Sequence, residues 1–509
     1  MIQETPRRAT TPPQAGTWLG QPSGLSTLFF TEMWERFSYY GIRPLLVLFM
    51  TAALLDGGFG FPRSEAAAIV GIYAACVYLS ALPGGWIADR WLGLQRAIWY
   101  GGILIASGHL AIALSAVFAK PAFFTGLVLI VLGTGLLKPN ISAIVGELYP
   151  EGGSRRDAGF SIFYMGINLG ALLAPLVTGF LGEKVGWHYG FGAAGVGMVL
   201  GLIWFRMNNN RTLGTLGLQP SGTAREQRFV KRVVAAGAVL IAAIIGAAMA
   251  GLFTIDPVAV AQRMTVVILT VALGYFAYLF FVAKLTKDEK KRVAVIGVLF
   301  LFATIFWSAF EQAPTSLNLF ARDYTNRVIL GWEMPTLWLQ SVNSVFVITL
   351  APVFAAIWIA LGNRGRDLSS PAKFSAGLVF AGIGFLLMVP ASRFVISSGG
   401  GHVAAWWLVG SYFFQTLGEL SLSPVGLSSM TKLAPRAFVG QMMGVWFTAA
   451  ALGNLIAGLV GGHVDPSKLD QMPQLFQQTA MSLFIAAVVL AIMVVPIRRM
   501  MQDSSTAHH

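Results

Sequence analysis

The sequence predicts an all-α integral membrane protein of about fourteen transmembrane helices, and three observations carry that prediction. First, 56% of the 509 residues are hydrophobic and 11% are charged, and the mean hydropathy is +0.68. A soluble protein of this length carries far more charge. Second, apolar runs of roughly 20 residues, the length that crosses a bilayer as a helix, recur from end to end. Third, Lys and Arg are distributed unequally between alternate loops. Of 35, 24 fall in one set and 8 in the other, and Arg36, Arg43 and Lys138 lie inside spans. Basic loops stay in the cytoplasm, so the pattern predicts an even span count with both termini cytoplasmic.

In chain order, a tail over 1–23 precedes six spans near 24–55, 64–88, 95–118, 121–147, 157–182 and 188–206. Together they form a six-helix bundle over 24–206. A basic linker over 207–229 follows, then two spans near 230–254 and 262–285. These two hold almost no charge and predict a lipid-facing hairpin over 230–285. The last six spans lie near 293–320, 334–361, 372–391, 403–431, 436–461 and 474–497. They form a second bundle over 293–497, before a tail over 498–509. The first two dozen residues hold Arg7-Arg8 with no apolar core directly after, so no cleavable signal peptide is expected. A net charge of +13 would suggest nucleic acid for a soluble protein. Here basic loops that set topology account for it, and no nucleic-acid partner is expected. The single cysteine, Cys76, sits in an apolar span and has no metal-ligand companions.

The first span carries the densest chemistry: Glu32-Met-Trp-Glu35-Arg36-Phe-Ser-Tyr39-Tyr40-Gly41-Ile-Arg43. At about 100° per residue, Glu32, Arg36, Tyr39 and Arg43 fall within roughly 60° of arc, flanked by Glu35 and Tyr40. Ionisable groups in a bilayer cost several kcal/mol each, so such a stripe faces water, a ligand or a partner. The plainer use is a self-neutralising cluster that locks helices together.

Glu-x-x-Glu-Arg-Phe-x-Tyr-Tyr-Gly resembles the first-helix motif of proton-coupled oligopeptide transporters (the POT/PTR2 family), a branch of the major facilitator superfamily. The resemblance implies the major facilitator fold: two six-helix bundles, here with a two-helix central insertion, and a substrate site between the halves near the midplane.

Later segments extend the likeness. Gly84-Gly85-Trp-Ile-Ala-Asp89-Arg90-Trp-Leu-Gly93 joins spans two and three and resembles the superfamily loop signature. Asp89 can cap a helix end and pair with a basic residue, a gating and topology role. Leu361-Gly-Asn-Arg364-Gly-Arg366 occupies the corresponding place in the second half. Tyr78 lies mid-span, as a packing residue or a cavity-lining one; the resemblance puts a binding-site tyrosine there. Gly133-Thr-Gly135-Leu-Leu-Lys138-Pro139-Asn140 resembles the fourth-helix signature. Lys138 lies too deep to reach the interface and needs a counter-ion or a wet site. Phe163-Tyr164-Met-Gly-Ile-Asn168 matches the fifth-helix signature. Asn168 serves either a substrate amide or a helix bridge, and the match favours substrate. Phe306-Trp307-Ser-Ala-Phe310-Glu311, Gln340 with Asn343, Gly418-Glu419-Leu-Ser-Leu-Ser423-Pro424 and Trp446 resemble the family at each place.

The resemblance implies a proton-coupled symporter importing di- and tripeptides by alternating access, functional as a monomer. Proton coupling is expected on Glu32, Glu35, Arg36 and Glu311. Substrate contacts are expected from Arg36, Tyr39, Tyr40, Arg43, Tyr78, Lys138, Asn168, Trp307, Gln340, Asn343, Glu419, Ser423 and Trp446. Gating pairs are expected among Arg43, Glu311, Lys138, Glu419, Asp89 and Arg90. Animal members carry a histidine in the second helix; the corresponding position here is Gly71, so coupling must rest on carboxylates. A symporter of another small solute, nitrate or a peptide-like drug, is the rival reading. Lys138 and Glu419 offer opposite poles for a zwitterion, which nitrate does not need. A membrane-embedded enzyme would need a His/Asp or metal constellation, and no catalytic residue, metal or cofactor is expected.

Overall fold

The computed structural model describes residues 16–502 apart from 152, 365–367 and 436–437. Arg7 and Arg8 of the expected tail, the loop residues Arg366 and Arg436, and the stretch beyond Gln502 lie outside the described residues. Fourteen long helices and one short one are described. They are α1 (Gly24–Thr51), α2 (Arg63–Ile87), α3 (Leu94–Ala113), α4 (Ser115–Glu147), α5 (Gly153–Phe180), α6 (Trp187–Thr212), α7 (Ala224–Met249) and α8 (Pro257–Phe281). The rest are α9 (Lys287–Phe310), the short α10 (Asn318–Tyr324), α11 (Ser341–Asn363), α12 (Ser370–Ser397), α13 (Trp406–Leu433), α14 (Val439–Gly461) and α15 (Met472–Gln502). Among the described residues, strands are confined to two-residue pairs at loop ends.

Eleven of the long helices are long and apolar enough to cross a membrane. The other three, α1, α3 and α13, carry polar groups within their length: Glu32, Glu35, Arg36 and Arg43 on α1, Gln95, Arg96 and His109 on α3, and Gln415 and Glu419 on α13. The chain is therefore a multi-pass membrane protein of the all-α class.

Contacts divide the chain into two units. The first holds residues up to Ile42 together with Leu79–Ile255. Its α3 and α4 pack through glycine: a Cβ built on Gly108 would come 2.6 Å from the Gly126 carbonyl, and one on Gly101 2.7 Å from the Gly133 carbonyl. Small residues let helix backbones approach where lipid supplies no hydrophobic drive. Phe123, Phe191 and Phe205 fill the remaining interior. Between α2 and α3 lies a wide turn over Ala88–Leu92, closed by the Gly93 N–H on the Ala88 carbonyl at 2.8 Å. Gly93 has φ of 79°, and a Cβ there would strike the Leu218 carbonyl, so only glycine fits.

The second unit holds Arg43–Tyr78 with residues from Asp256 onward. The end of α1 and most of α2 thus pack with the C-terminal helices. A Cβ on Gly71 would sit 2.8 Å from the Asn454 carbonyl of α14. Phe306, Phe320, Phe374, Phe385 and Phe476 are fully buried in this core.

Two helix boundaries differ from the sequence expectation. The span expected over 293–320 does not run unbroken to residue 320: α9 stops at Phe310, a turn occupies Ala313–Leu317, and α10 begins at Asn318. Pro314 cannot donate its backbone N–H, so the α-helical ladder cannot pass through it. About half of the stretch expected as linker, 207–229, is helical. α6 runs to Thr212, and α7 starts at a capping box in which Thr223 Oγ1 accepts from the Glu226 N–H at 3.3 Å and Glu226 accepts from the Thr223 N–H at 2.7 Å.

Candidate functional site: buried polar clusters in each unit

In the first unit, Glu32, Glu35, Arg36 and Tyr39 are all buried on α1. Arg36 Nε lies 3.3 Å from Glu32 Oε1 and is paired with Glu35 Oε2. Its guanidinium carbon stands 5.0 Å from the centre of the Tyr39 ring, which meets Tyr40 edge-on at 5.2 Å. One cation between two carboxylates leaves the cluster a formal charge short of neutral. Glu32 Oε2, Glu35 Oε1 and Arg36 Nη2 have no hydrogen-bond partner among the described residues. Buried polar atoms left open in this way are places where a proton, water or ligand group can be held. Gly170 of α5 backs onto the Met33 carbonyl, and a Cβ there would clash with it, so α5 lies tight against the carboxylate-bearing turn.

Lys138 is half-buried on α4 and close enough for its charge to act on Glu32. Two residues on, Asn140 Nδ2 donates to the Leu136 carbonyl at 2.6 Å, beside the position where Pro139 offers no donor. Asn168 is buried on α5, and its Nδ2 donates to the Tyr164 carbonyl one turn back at 3.0 Å.

In the second unit, Arg43 Nη2 is paired with Glu311 Oε2 and also donates to Asn454 Oδ1 at 2.6 Å. Glu311 is the residue at which α9 ends, with its N–H on the Trp307 carbonyl at 2.9 Å. The carboxylate therefore sits at a helix break. Immediately after Arg43, Pro44 in α1 leaves its carbonyl to accept from Asn318 Nδ2 at 2.7 Å. α1 is thus stitched to both sides of the α9–α10 break, Arg43 to Glu311 before it and Pro44 to Asn318 after it.

The remaining polar residues of this unit gather along α13. Gln340, in a turn ahead of α11, donates to the Tyr412 hydroxyl at 3.0 Å. Asn343, in the first turn of α11, donates to Thr416 Oγ1 at 2.9 Å and to Glu419 Oε2 at 3.4 Å. Tyr412, Thr416 and Glu419 are spaced four and three apart and so share one helix face. Trp307 is buried with its indole N–H free of protein partners among the described residues. Trp446 is buried across Gly426, where any Cβ would collide with its ring. Ser423 and Tyr78 are half-buried.

Asp89 makes no ion pair among the described residues; its backbone carbonyl accepts from the Ser221 N–H at 2.7 Å. The charged contact of that turn is Arg90 with Glu226, 3.0 Å apart and exposed. The turn places the Arg90 side chain toward the start of α7, so the arginine and not the aspartate makes the cross-loop contact. Sequence reasoning missed Asn454, Asn318, Tyr412 and Thr416. Each is a buried polar residue in an apolar segment, the signal that singled out Asn168, but none falls in a motif.

Fourteen long helices, charge pairs buried within the spans and a helix broken at a carboxylate are the build of a membrane transporter. The chain belongs to the POT family, whose model matches residues 95–479. It is 51% identical over 502 residues to the peptide transporter YePEPT of Yersinia enterocolitica subsp. palearctica, covering 97% of this chain and 98% of that one. It is 38% identical to a di-/tripeptide transporter of Lactococcus lactis subsp. cremoris, with 96% and 98% coverage. Among solved structures, a peptide transporter POT in complex with sulfate superposes with a TM-score of 0.88 at 43% identity, covering 97% of this chain and 98% of that one. A POT family transporter in complex with 5-aminolevulinic acid gives 0.87 at 33% identity, with 96% and 100% coverage. The fold is of the major facilitator type, as the sequence predicted.

Proposed function

We propose that this protein imports di- and tripeptides with protons by alternating access, as a monomer in a bacterial inner membrane with both termini in the cytoplasm. The observation that carries the reading is a pair of cations in one unit and a carboxylate in the other, all inside the spans. The first unit offers the cations of Arg36 and Lys138, the second the carboxylate of Glu419 held by Asn343. A zwitterionic backbone with free amino and carboxyl ends matches such poles. The names of the full-length relatives support the same substrate class. Tyr39, Tyr40, Tyr78, Asn168, Trp307, Gln340, Ser423 and Trp446 then supply hydrogen bonds and apolar contact around the peptide.

Coupling rests on the carboxylates Glu32, Glu35 and Glu311. Protonating Glu311 removes the charge that holds Arg43, so the ionic tie of α1 to the α9 break is lost and the neutral Asn318–Pro44 hydrogen bond is left. Arg36 pairs with both Glu32 and Glu35, and a proton on either acid or a substrate carboxylate competes for that pairing. A second reading is transport of a small amino acid-like solute, favoured by the related transporter in complex with 5-aminolevulinic acid. Uptake into proteoliposomes under an inward proton gradient tests both. Labelled dialanine should accumulate, unlabelled di- and tripeptides should compete, and sugars and nitrate should not. Competition by 5-aminolevulinic acid but by no peptide would favour the second reading.

A further inference from the structure

The first three turns of α7 carry a stripe of three arginines that packing within the protein leaves unused. At about 100° per residue, Arg225, Arg228 and Arg232 fall within roughly 60° of arc. Val230, the residue of α7 buried among those described, lies roughly 140° round from Arg225. The docked side of α7 is built from other groups. Glu226 meets Arg90 at 3.0 Å, Phe229 meets the Trp86 ring at 6.3 Å, and Lys231 stands 5.7 Å over the Trp91 ring. All three stripe arginines are exposed.

Position along the helix decides what that stripe can meet. From Val233 onward α7 is apolar, and none of its most apolar eighteen-residue stretch is buried in the protein. Lipid therefore surrounds it. Arg232 directly precedes that apolar run, and Arg225 lies about 10 Å further out along the axis. The headgroup layer of one leaflet is roughly 5–7 Å thick. Arg232 and Arg228 thus stand within the depth of that layer and Arg225 at its aqueous edge, in reach on a flexible stem, with all three side chains exposed.

Charge selects the ligand. Between Arg206 and Ile255 the chain has six basic residues and one acid, Glu226, which is already paired with Arg90. A topology signal alone would need only the count. The start of α9 shows that case: it is equally basic, but Asp288 and Glu289 lie among its lysines and Lys291 is 3.8 Å from Asp288. On α7 the arginines share a face without an acid. Guanidinium grips phosphate in a bidentate fork better than ammonium does.

We infer that the Arg225–Arg228–Arg232 stripe is a binding site for the phosphate headgroup of an anionic phospholipid. The bound lipid anchors α7 in the leaflet. Through Arg90–Glu226 and the Ser221–Asp89 contact it also steadies the turn between α2 and α3. The inference rests on the membrane placement above and not on the substrate.

The test is lipid retention by the purified full chain, read by native mass spectrometry with phosphatidylglycerol and phosphatidylethanolamine of matched acyl chains. The wild-type chain should retain phosphatidylglycerol preferentially. With about fivefold affinity per basic residue near a charged headgroup, the triple Arg225→Gln, Arg228→Gln, Arg232→Gln variant should lose most of that preference. Each single variant should lose severalfold, so the singles decide if the triple does not fold. The control Lys284→Gln, Lys287→Gln, Lys290→Gln should keep it. The inference is overturned by a triple variant that retains the preference, by an equal loss in the control, or by millimolar inorganic phosphate displacing the lipid. The last would make the stripe a soluble-anion site. No transport is measured, so failure here leaves the peptide reading standing, and the reverse also holds.

Discussion

Arg43 and Glu311, 268 residues apart in the chain, meet in a buried ion pair at the point where α9 breaks. Asn454 of α14 accepts from the same guanidinium nitrogen at 2.6 Å. A buried pair is weak evidence for stability, because desolvating both charges offsets their attraction. Its placement at a helix break, beside a proline of α1, suits a contact that opens and closes.

Glu311→Gln keeps the shape of the side chain and its hydrogen-bonding reach but removes the charge that protonation would remove. Proteoliposomes bearing this variant should still exchange labelled for unlabelled peptide. They should not concentrate peptide in response to a pH gradient. Retained uphill accumulation would transfer the coupling role to Glu32 and Glu35.

Asn454→Ala deprives Arg43 of one acceptor inside the protein. Losing an acceptor from a buried donor costs about 1–3 kcal/mol. The melting temperature in detergent should fall, whereas an unchanged one would mean that Glu311 alone satisfies Arg43.

Glu419→Gln should weaken binding of ordinary dipeptides far more than of analogues lacking the amino group. Truncating one member of a buried charge contact costs about 2–5 kcal/mol, thirtyfold or more in affinity. Competition assays with paired substrates read the difference. Equal losses for both substrates would remove Glu419 from the amino-terminal pole.

Gly84→Ala places a methyl against the Gly135 carbonyl, a backbone atom that cannot swing aside. Overpacking of this kind costs about 1–3 kcal/mol. The variant should melt earlier than the wild type, while Gly85→Ala, with open space around it, should not. Matching melting curves for the two would show that α2 and α4 have room to separate there.

Single cysteines at Ser221 and Ser397, in a background with Cys76 replaced, should react with impermeant reagents from opposite faces of the membrane. Ser221 belongs to the basic linker and Ser397 ends α12. Labelling from one face only would break the alternation on which the span count rests.

The sequence by itself determined the membrane class, the fourteen spans and the family. Apolar length and a buried charge are local properties, and each is visible in its own segment. Glu32, Glu35, Arg36, Lys138, Glu311 and Glu419 stand out because a bilayer tolerates few such groups, wherever they later point. The depth of Arg43 and Glu311 in their spans could likewise be counted residue by residue. Only the tertiary structure decided which partners those groups take. Asn454, Tyr412 and Thr416 carry no motif, and their importance comes from the helix that happens to face them. The break after Glu311 places a carboxylate at a helix end where sequence counting put it mid-helix. The division of α1 between Ile42 and Arg43, and of α2 between Tyr78 and Leu79, was equally invisible. A helix that is continuous in hydrogen bonding shares its two ends between units only through packing with residues far away in the chain, and hydropathy holds no record of that packing.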